Sequence, residues 1–240
     1  MGTAASRDFL TRFARSLSER SSGDPALAPF ADAVHSIVEA PEHPVKPERS
    51  SHPITAHAGP LLDRATADPD LMEPLKRMQN SLPWYQIFQG GGADPVLAEG
   101  LFAAQMSGPA GFIDGGTIRV GLFLLGPNIT YPLHCHAADE VYFGLSGALT
   151  LQHGWQGKPF TIEGGEYSVT PSNRLHSLQT GKDPVLLAFI WKGEINAPNW
   201  WWSQQGDAAW RRTSWVRTGA GAWTVDREED VPPDLIVDQA

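Results

Sequence analysis

The chain has 240 residues, nine Trp and one Cys, and 18 basic against 27 acidic residues, a formal charge of −9. Apolar residues at 41% and charged residues at 19% describe a globular chain long enough for a large core, neither disordered nor fibrous. The acidic balance argues against nucleic acid or an anionic membrane as partner, a lone Cys excludes an internal disulfide framework, and no apolar run reaches the roughly 18 residues of a membrane span.

The N-terminal stretch lacks the apolar core of a secretory signal. Gly2 and Ser6 match the short acylation pattern, but no basic cluster supplies a second anchor. A cytoplasmic protein is the expectation. Phe9, Leu10, Phe13 and Leu17 recur at helical spacing, which predicts a helix over 6–19 with Ser6 as its cap. After the Ser21–Asp24 break, Asp24-Pro25 reads as an N-cap with Pro at the first helical position, and Leu27, Phe30, Val34, Ile37 and Val38 continue that helix. Residues 40–59 read as an extended connector. A third helix is predicted over 61–78, broken at Pro74 and ended by Leu82–Tyr85 and Gly90–Gly92.

From about residue 115 the pattern changes to short runs with strand alternation: 117–125, 140–147, 148–152, 160–162, 166–169 and 185–191, separated by Gly, Pro and Asn. The expected fold is mostly β, a sandwich or barrel with an α-helical N-terminal extension. The expected divisions are a helical region at 1–110, a β-barrel at 111–225 and a C-terminal tail at 226–240. Seven of the nine Trp lie between Trp191 and Trp223. Trp191 falls on the last predicted strand. Trp200, Trp201, Trp202, Trp210, Trp215 and Trp223 are expected to cover an outer barrel face, a subunit contact or the helices.

The chemistry concentrates in Tyr131-Pro-Leu-His134-Cys-His136-Ala-Ala-Asp-Glu140-Val-Tyr142. His134 and His136, two apart on a strand, face one side, and Cys135 faces the other as a packing residue. With Glu140 and, in a later Gly/Pro-rich turn, His176, they form three imidazoles and a carboxylate. That set suits one divalent transition metal ion, Fe, Mn, Ni, Co or Zn, and leaves positions open for a substrate. His35, His43, His52, His57 and His153 lack such company and are expected at the surface.

The pattern resembles the cupin superfamily. His134, His136, Glu140 and Gly147 fit its first motif, and Gly165, Pro171 and His176 fit its second, with Asn173 where a Gly is usual. Asn tolerates a left-handed backbone, so the substitution is mild, whereas the upstream Gly is displaced to Gly126. The resemblance implies a jelly-roll barrel, a double sheet enclosing the metal. With Tyr131, Tyr142, Trp191, Leu82–Tyr85 and Met106–Gly111 added, residues 80–195 resemble the cupin-type dimethylsulfoniopropionate lyases, most of all the long DddL-like members. That resemblance implies a β-elimination yielding dimethyl sulfide and acrylate. Tyr142 is expected as the base, Tyr131 as an assisting or substrate-bonding phenol, and Trp191, Tyr131 and Phe143 as an aromatic wall for a zwitterionic substrate. Cupins also form homodimers. The rival expectations are an Fe(II) dioxygenase, an isomerase or sugar-binding relative, and a non-catalytic metal-binding module. The isomerase would be expected to show more basic residues near the motifs than Arg119 and Arg174.

Overall fold

The computed structural model describes residues 2–43, 51–88, 92–206, 209–218 and 222–240. Helices α1 (Gly2–Ser21), α2 (Ala28–Ser36), α3 (Ala58–Asp63) and α4 (Pro69–Met78) come first, with a short strand β1 (Trp84–Gln86) and helix α5 (Pro95–Gly100) behind them. Twelve strands follow: β2 (Leu101–Ser107), β3 (Ile118–Leu125), β4 (Thr130–His136), β5 (Ala138–Ser146), β6 (Leu149–His153), β7 (Phe160–Ile162), β8 (Tyr167–Thr170), β9 (His176–Thr180), β10 (Val185–Gly193), β11 (Asn199–Gln204), β12 (Trp210–Thr218) and β13 (Ala222–Asp230). Helix α6 (Pro233–Asp238) ends the chain.

All strand pairs are antiparallel. One sheet has the order β1-β2-β3-β10-β5-β8 and the other β13-β12-β11-β4-β9-β6-β7. The two pack face to face, and at one side a bridge between Phe88 and Trp223 links the ends of β1 and β13. This is the double-sheet barrel with N-terminal helices that the motifs predict.

Strand alternation sorts the core. Even-numbered β3 and β10 residues such as Val120, Leu122, Leu186 and Ala188 face outward onto Phe9, Phe13 and Leu17 of α1, while Phe123, Phe189 and Trp191 face the barrel interior. The helices thus cover one face of the six-stranded sheet.

Several expectations need correction. Ser6 is not a cap: α1 begins at Gly2, and Ser6 lies buried within it. Pro74 does not break its helix. The break falls at Arg64–Asp68, where the Asp68 side chain caps α4, and Pro74 sits inside that helix. A helical Pro leaves the carbonyl four residues earlier without its N–H partner, and here Arg12 Nη1 donates to the Asp70 carbonyl at 3.0 Å. Strands β1 and β2 lie inside the segment read as helical. Strand β13 runs through residue 230 into the segment read as a tail. Gly90, Gly91 and part of the connector, residues 44–50, lie outside the described residues.

The motif turns behave as expected. Asn173 has φ +60°, Gly147 +83° and Gly165 +90°, all in the left-handed region.

Candidate metal centre and pocket

Strands β4 and β9 pair so that His134 stands directly opposite His176. His136 follows two residues along the same face, and Leu133 and Cys135 point outward into a separate cluster with Trp202 and Trp210. His134, His136 and His176 are all buried, with one ligand atom from each lying within 4.8 Å of the others. These three histidines can hold a metal ion.

Their hydrogen bonds fit that use. Each Nδ1 meets a backbone carbonyl close by in its own chain segment: His134 to Pro132 O at 2.8 Å, His136 to Ala138 O at 3.0 Å and His176 to Arg174 O at 2.9 Å. A carbonyl only accepts, so each Nδ1 carries a proton and each ring turns its Nε2 toward the cluster, the orientation found at imidazole metal ligands. The Nε2 of His176 is buried and has no hydrogen-bond partner. Burial, with His176 and His136 adding to it, holds His134 well below the ordinary imidazole range, so it stays neutral and available.

Glu140 on β5 approaches from the opposite sheet. Its Oε2 lies 3.0 Å from His136 Nε2 and 3.4 Å from His176 Nε2, and its Oε1 accepts from Trp191 Nε1. Burial works to raise its pKa, but His136 and His176 hold the carboxyl down at about 2, so it is an anion. The two phenols flank this group. Tyr131 stacks on the His134 ring and accepts from Asn199 Nδ2 at 2.8 Å. Tyr142 is 1% exposed, with its ring centroid 6.4 Å from that of His176. Burial first, then Glu140 and Tyr131, push the Tyr142 phenol well above its ordinary value of 10. Burial likewise raises Tyr131.

A narrow cavity opens beside these groups, lined by Tyr131, His134, Tyr142 and Trp191 together with Phe123, Phe189, Trp223, Asn199, Gln105, Tyr85, Arg119 and Arg217. The sequence-derived residues His134, His136, Glu140, Tyr131, Tyr142, His176 and Trp191 thus converge. Phe143 does not. It follows Tyr142 on one strand, so it faces the other side of the sheet, where its ring meets Phe13 edge-on at 5.5 Å. The expectation of a substrate wall at Phe143 is corrected to one of helix–sheet packing.

The tryptophans also divide differently from expectation. Strands β11 to β13 extend the metal-bearing sheet, and Trp201 stands in register with His134. Trp201, Trp215 and Trp223 face inward with Phe88 and Tyr131, whereas Trp200, Trp202 and Trp210 face outward. His153 is no surface residue either. It pairs in register with His176, and its Nε2 lies 3.2 Å from both Ser168 Oγ and Thr170 Oγ1. Sequence reasoning missed Asn199, Arg217 and Trp223 as lining residues. The alternation within 199–202 was the available signal for Asn199.

A double-sheet antiparallel barrel with an inward histidine cluster on two neighbouring strands is a cupin. Within that class, the chain belongs to the dimethylsulfoniopropionate lyase family, whose family model matches residues 29–187. It is 24% identical over 173 residues to dimethylsulfoniopropionate lyase DddQ of Ruegeria pomeroyi, covering 72% of this chain and 83% of that one. The crystal structure of that DddQ is similar with a TM-score of 0.61 at 20% identity, covering 82% of this chain and 95% of that one. A chain from the crystal structures of the lyases RdDddP and RnDddQII is similar with a TM-score of 0.59 at 22% identity, covering 81% and 95%. No helix among the described residues is long and apolar enough to cross a membrane.

Proposed function

We propose that this chain cleaves dimethylsulfoniopropionate to dimethyl sulfide and acrylate by β-elimination, with Tyr142 as the base and His134, His136, His176 and Glu140 as metal ligands. The observation that carries this reading is the meeting of two buried phenols, Tyr131 and Tyr142, with the imidazole cluster at one aromatic-lined cavity.

The base takes a proton from the carbon next to the carboxylate, the electron pair forms the new C=C bond, and the carbon–sulfur bond breaks with its pair leaving on sulfur. A bound divalent ion supplies Lewis-acid stabilisation of the enediolate-like charge and favours the phenolate over the phenol. Tyr142, raised by burial, keeps its proton without such a neighbour. The reading therefore makes activity metal-dependent. Tyr131, held by Asn199 and its stack on His134, orients the substrate. Trp191, fixed through its Nε1 to Glu140, offers its ring to the sulfonium, a contact worth about 0.5–2 kcal/mol.

The test is direct. The purified chain, loaded separately with Fe, Mn, Ni, Co and Zn, is incubated with dimethylsulfoniopropionate and the headspace is assayed for dimethyl sulfide by gas chromatography. Sulfide above the no-enzyme control with at least one ion is expected. None with any ion overturns the reading.

A further inference from the structure

One wall of the cavity carries charge that elimination chemistry has not used. On the six-stranded sheet, Arg119 of β3 stands opposite Trp191 of β10, which stands opposite Glu140 of β5, so a single inward row reads Arg119, Trp191, Glu140. Arg119 is 2% exposed. Its Nη2 donates to Asn196 Oδ1 at 2.7 Å, but its Nε and Nη1 are buried and meet no acceptor. Among the described residues no carboxylate pairs with it. Glu140 is engaged by His136, His176 and Trp191.

A second guanidinium stands nearby. Arg217 of β12 lines the same cavity, lies over the Trp223 ring at 4.3 Å and hydrogen-bonds with Tyr85. Burial, and then repulsion from Arg217, push Arg119 down to about 10, so it remains a cation at neutral pH. Burying a cation without an anion is costly, and folds tolerate it where a ligand supplies the missing charge. Unmet N–H donors of a guanidinium, aimed into a cavity, match a carboxylate.

We propose that Arg119 donates hydrogen bonds to the carboxylate of the substrate alongside the ion that stabilises its enediolate, with Arg217 reinforcing the positive field, which makes Arg119 the side chain that selects acids over their uncharged analogues. This rests on the lyase reading for the identity of the substrate, though not for the binding of a carboxylate. The two ends of a short zwitterion are then sorted by charge.

The experiment titrates the full-length chain, metal-loaded and chelator-stripped, with propionate, propionamide and inorganic phosphate, read by calorimetry and tryptophan fluorescence. Propionate is expected to bind even the stripped protein, with propionamide weaker by at least about tenfold. Arg119→Gln should weaken propionate by at least about tenfold and leave propionamide unchanged, and Arg119→Lys should restore part of the loss. In turnover of dimethylsulfoniopropionate by the loaded protein, Arg119→Gln should raise KM more than it lowers kcat. Equal propionate affinity in wild type and Arg119→Gln overturns the proposal. So does propionate binding that appears only with metal, or a preference for phosphate. If Arg119→Gln does not fold, the propionate–propionamide difference in the stripped wild type decides. If the wild type forms no dimethyl sulfide yet binds propionate through Arg119, the lyase reading fails and the carboxylate site stands.

Discussion

Tyr131 lies flat on His134, with ring centroids 3.8 Å apart and planes 8° from parallel. The bulge in β4 between these residues permits the stack, because it turns two side chains three positions apart toward one face. The phenol hydroxyl then meets Asn199, which stands in register with His136 on β11. Tyr131→Phe keeps the stack but deletes the acceptor for Asn199 Nδ2. A loss of about 1–3 kcal/mol in unfolding free energy is expected, with metal content by mass spectrometry unchanged and turnover reduced but present. Complete loss of turnover with the metal retained would instead identify Tyr131 as the base.

Tyr142→Phe removes the proposed base without changing ring packing against Phe123. A fall in kcat of about 10²–10⁴-fold is expected, again with metal content unchanged. The sign of the pH dependence follows from the raised phenol. The active form is the deprotonated one, so the wild-type rate should climb as pH rises through the neutral to alkaline range. The residual rate of the Phe variant should lack that climb. Turnover that survives at wild-type level rules Tyr142 out.

Metal removal should destabilise the barrel. An ion bound by buried ligands on strands of both sheets adds about 2.7 kcal/mol when present at 100 times its Kd. Differential scanning calorimetry should therefore show Tm falling on chelation and recovering on adding the ion back. His134→Ala should abolish the difference between the two states. An unchanged Tm across stripping and reloading would show that the cluster binds no ion.

Phe143→Ala tests the correction at that residue. Its ring is fully buried between Phe13 and the sheet, with the Arg20 guanidinium 5.2 Å above it. Truncation should cost about 3–5 kcal/mol in chemical denaturation and leave KM unchanged. A raised KM with unchanged stability would place Phe143 at the substrate after all.

His153→Gln probes acid stability. Burial, then His176 and Arg174, lower the His153 pKa to about 4, against roughly 6.5 in an unfolded chain. The fold prefers the neutral ring. The stability it contributes is whole above about pH 6.5 and is lost as pH falls through about 4. Thermal melts of chelator-treated protein should show wild-type Tm dropping across that window and the Gln variant dropping less. Parallel curves would show that His153 does not couple folding to pH.

Much of the site was legible because its signal is local. The spacing of His134, His136, Glu140 and Gly147 carries both the strand alternation and the turn, and Asn173 does occupy the left-handed position expected of it. Phe143 failed for a reason that period-2 reasoning already contains: two consecutive strand residues cannot face one pocket. Strand β2 was lost because residues 101–107 are buried on both faces and follow a Pro-initiated helix, leaving no alternation to read. The roles of Trp201 and Trp223 depend on β11 to β13 joining the sheet beside β4, a long-range pairing that no local window reports. His153 looked isolated for the same reason, since His176, its register partner, lies across a strand pairing. Arg119, a cation inside an apolar strand run, was visible as an anomaly but not as a lining residue.

The tethering of each Nδ1 to a carbonyl within its own segment makes the site a counter of protons. The Nε2 atoms face inward, and His136 Nε2 lies 3.0 Å from the Glu140 carboxylate, which only accepts, so an ion that takes that nitrogen displaces one hydrogen. Glu140, held as an anion, releases none. Acid liberated into weakly buffered solution beyond that one proton would come from a different group, and the phenols beside the cluster are the nearest source. The stoichiometry of that release, followed by titration or by the buffer dependence of the binding heat, would register the tyrosinate before any substrate is added.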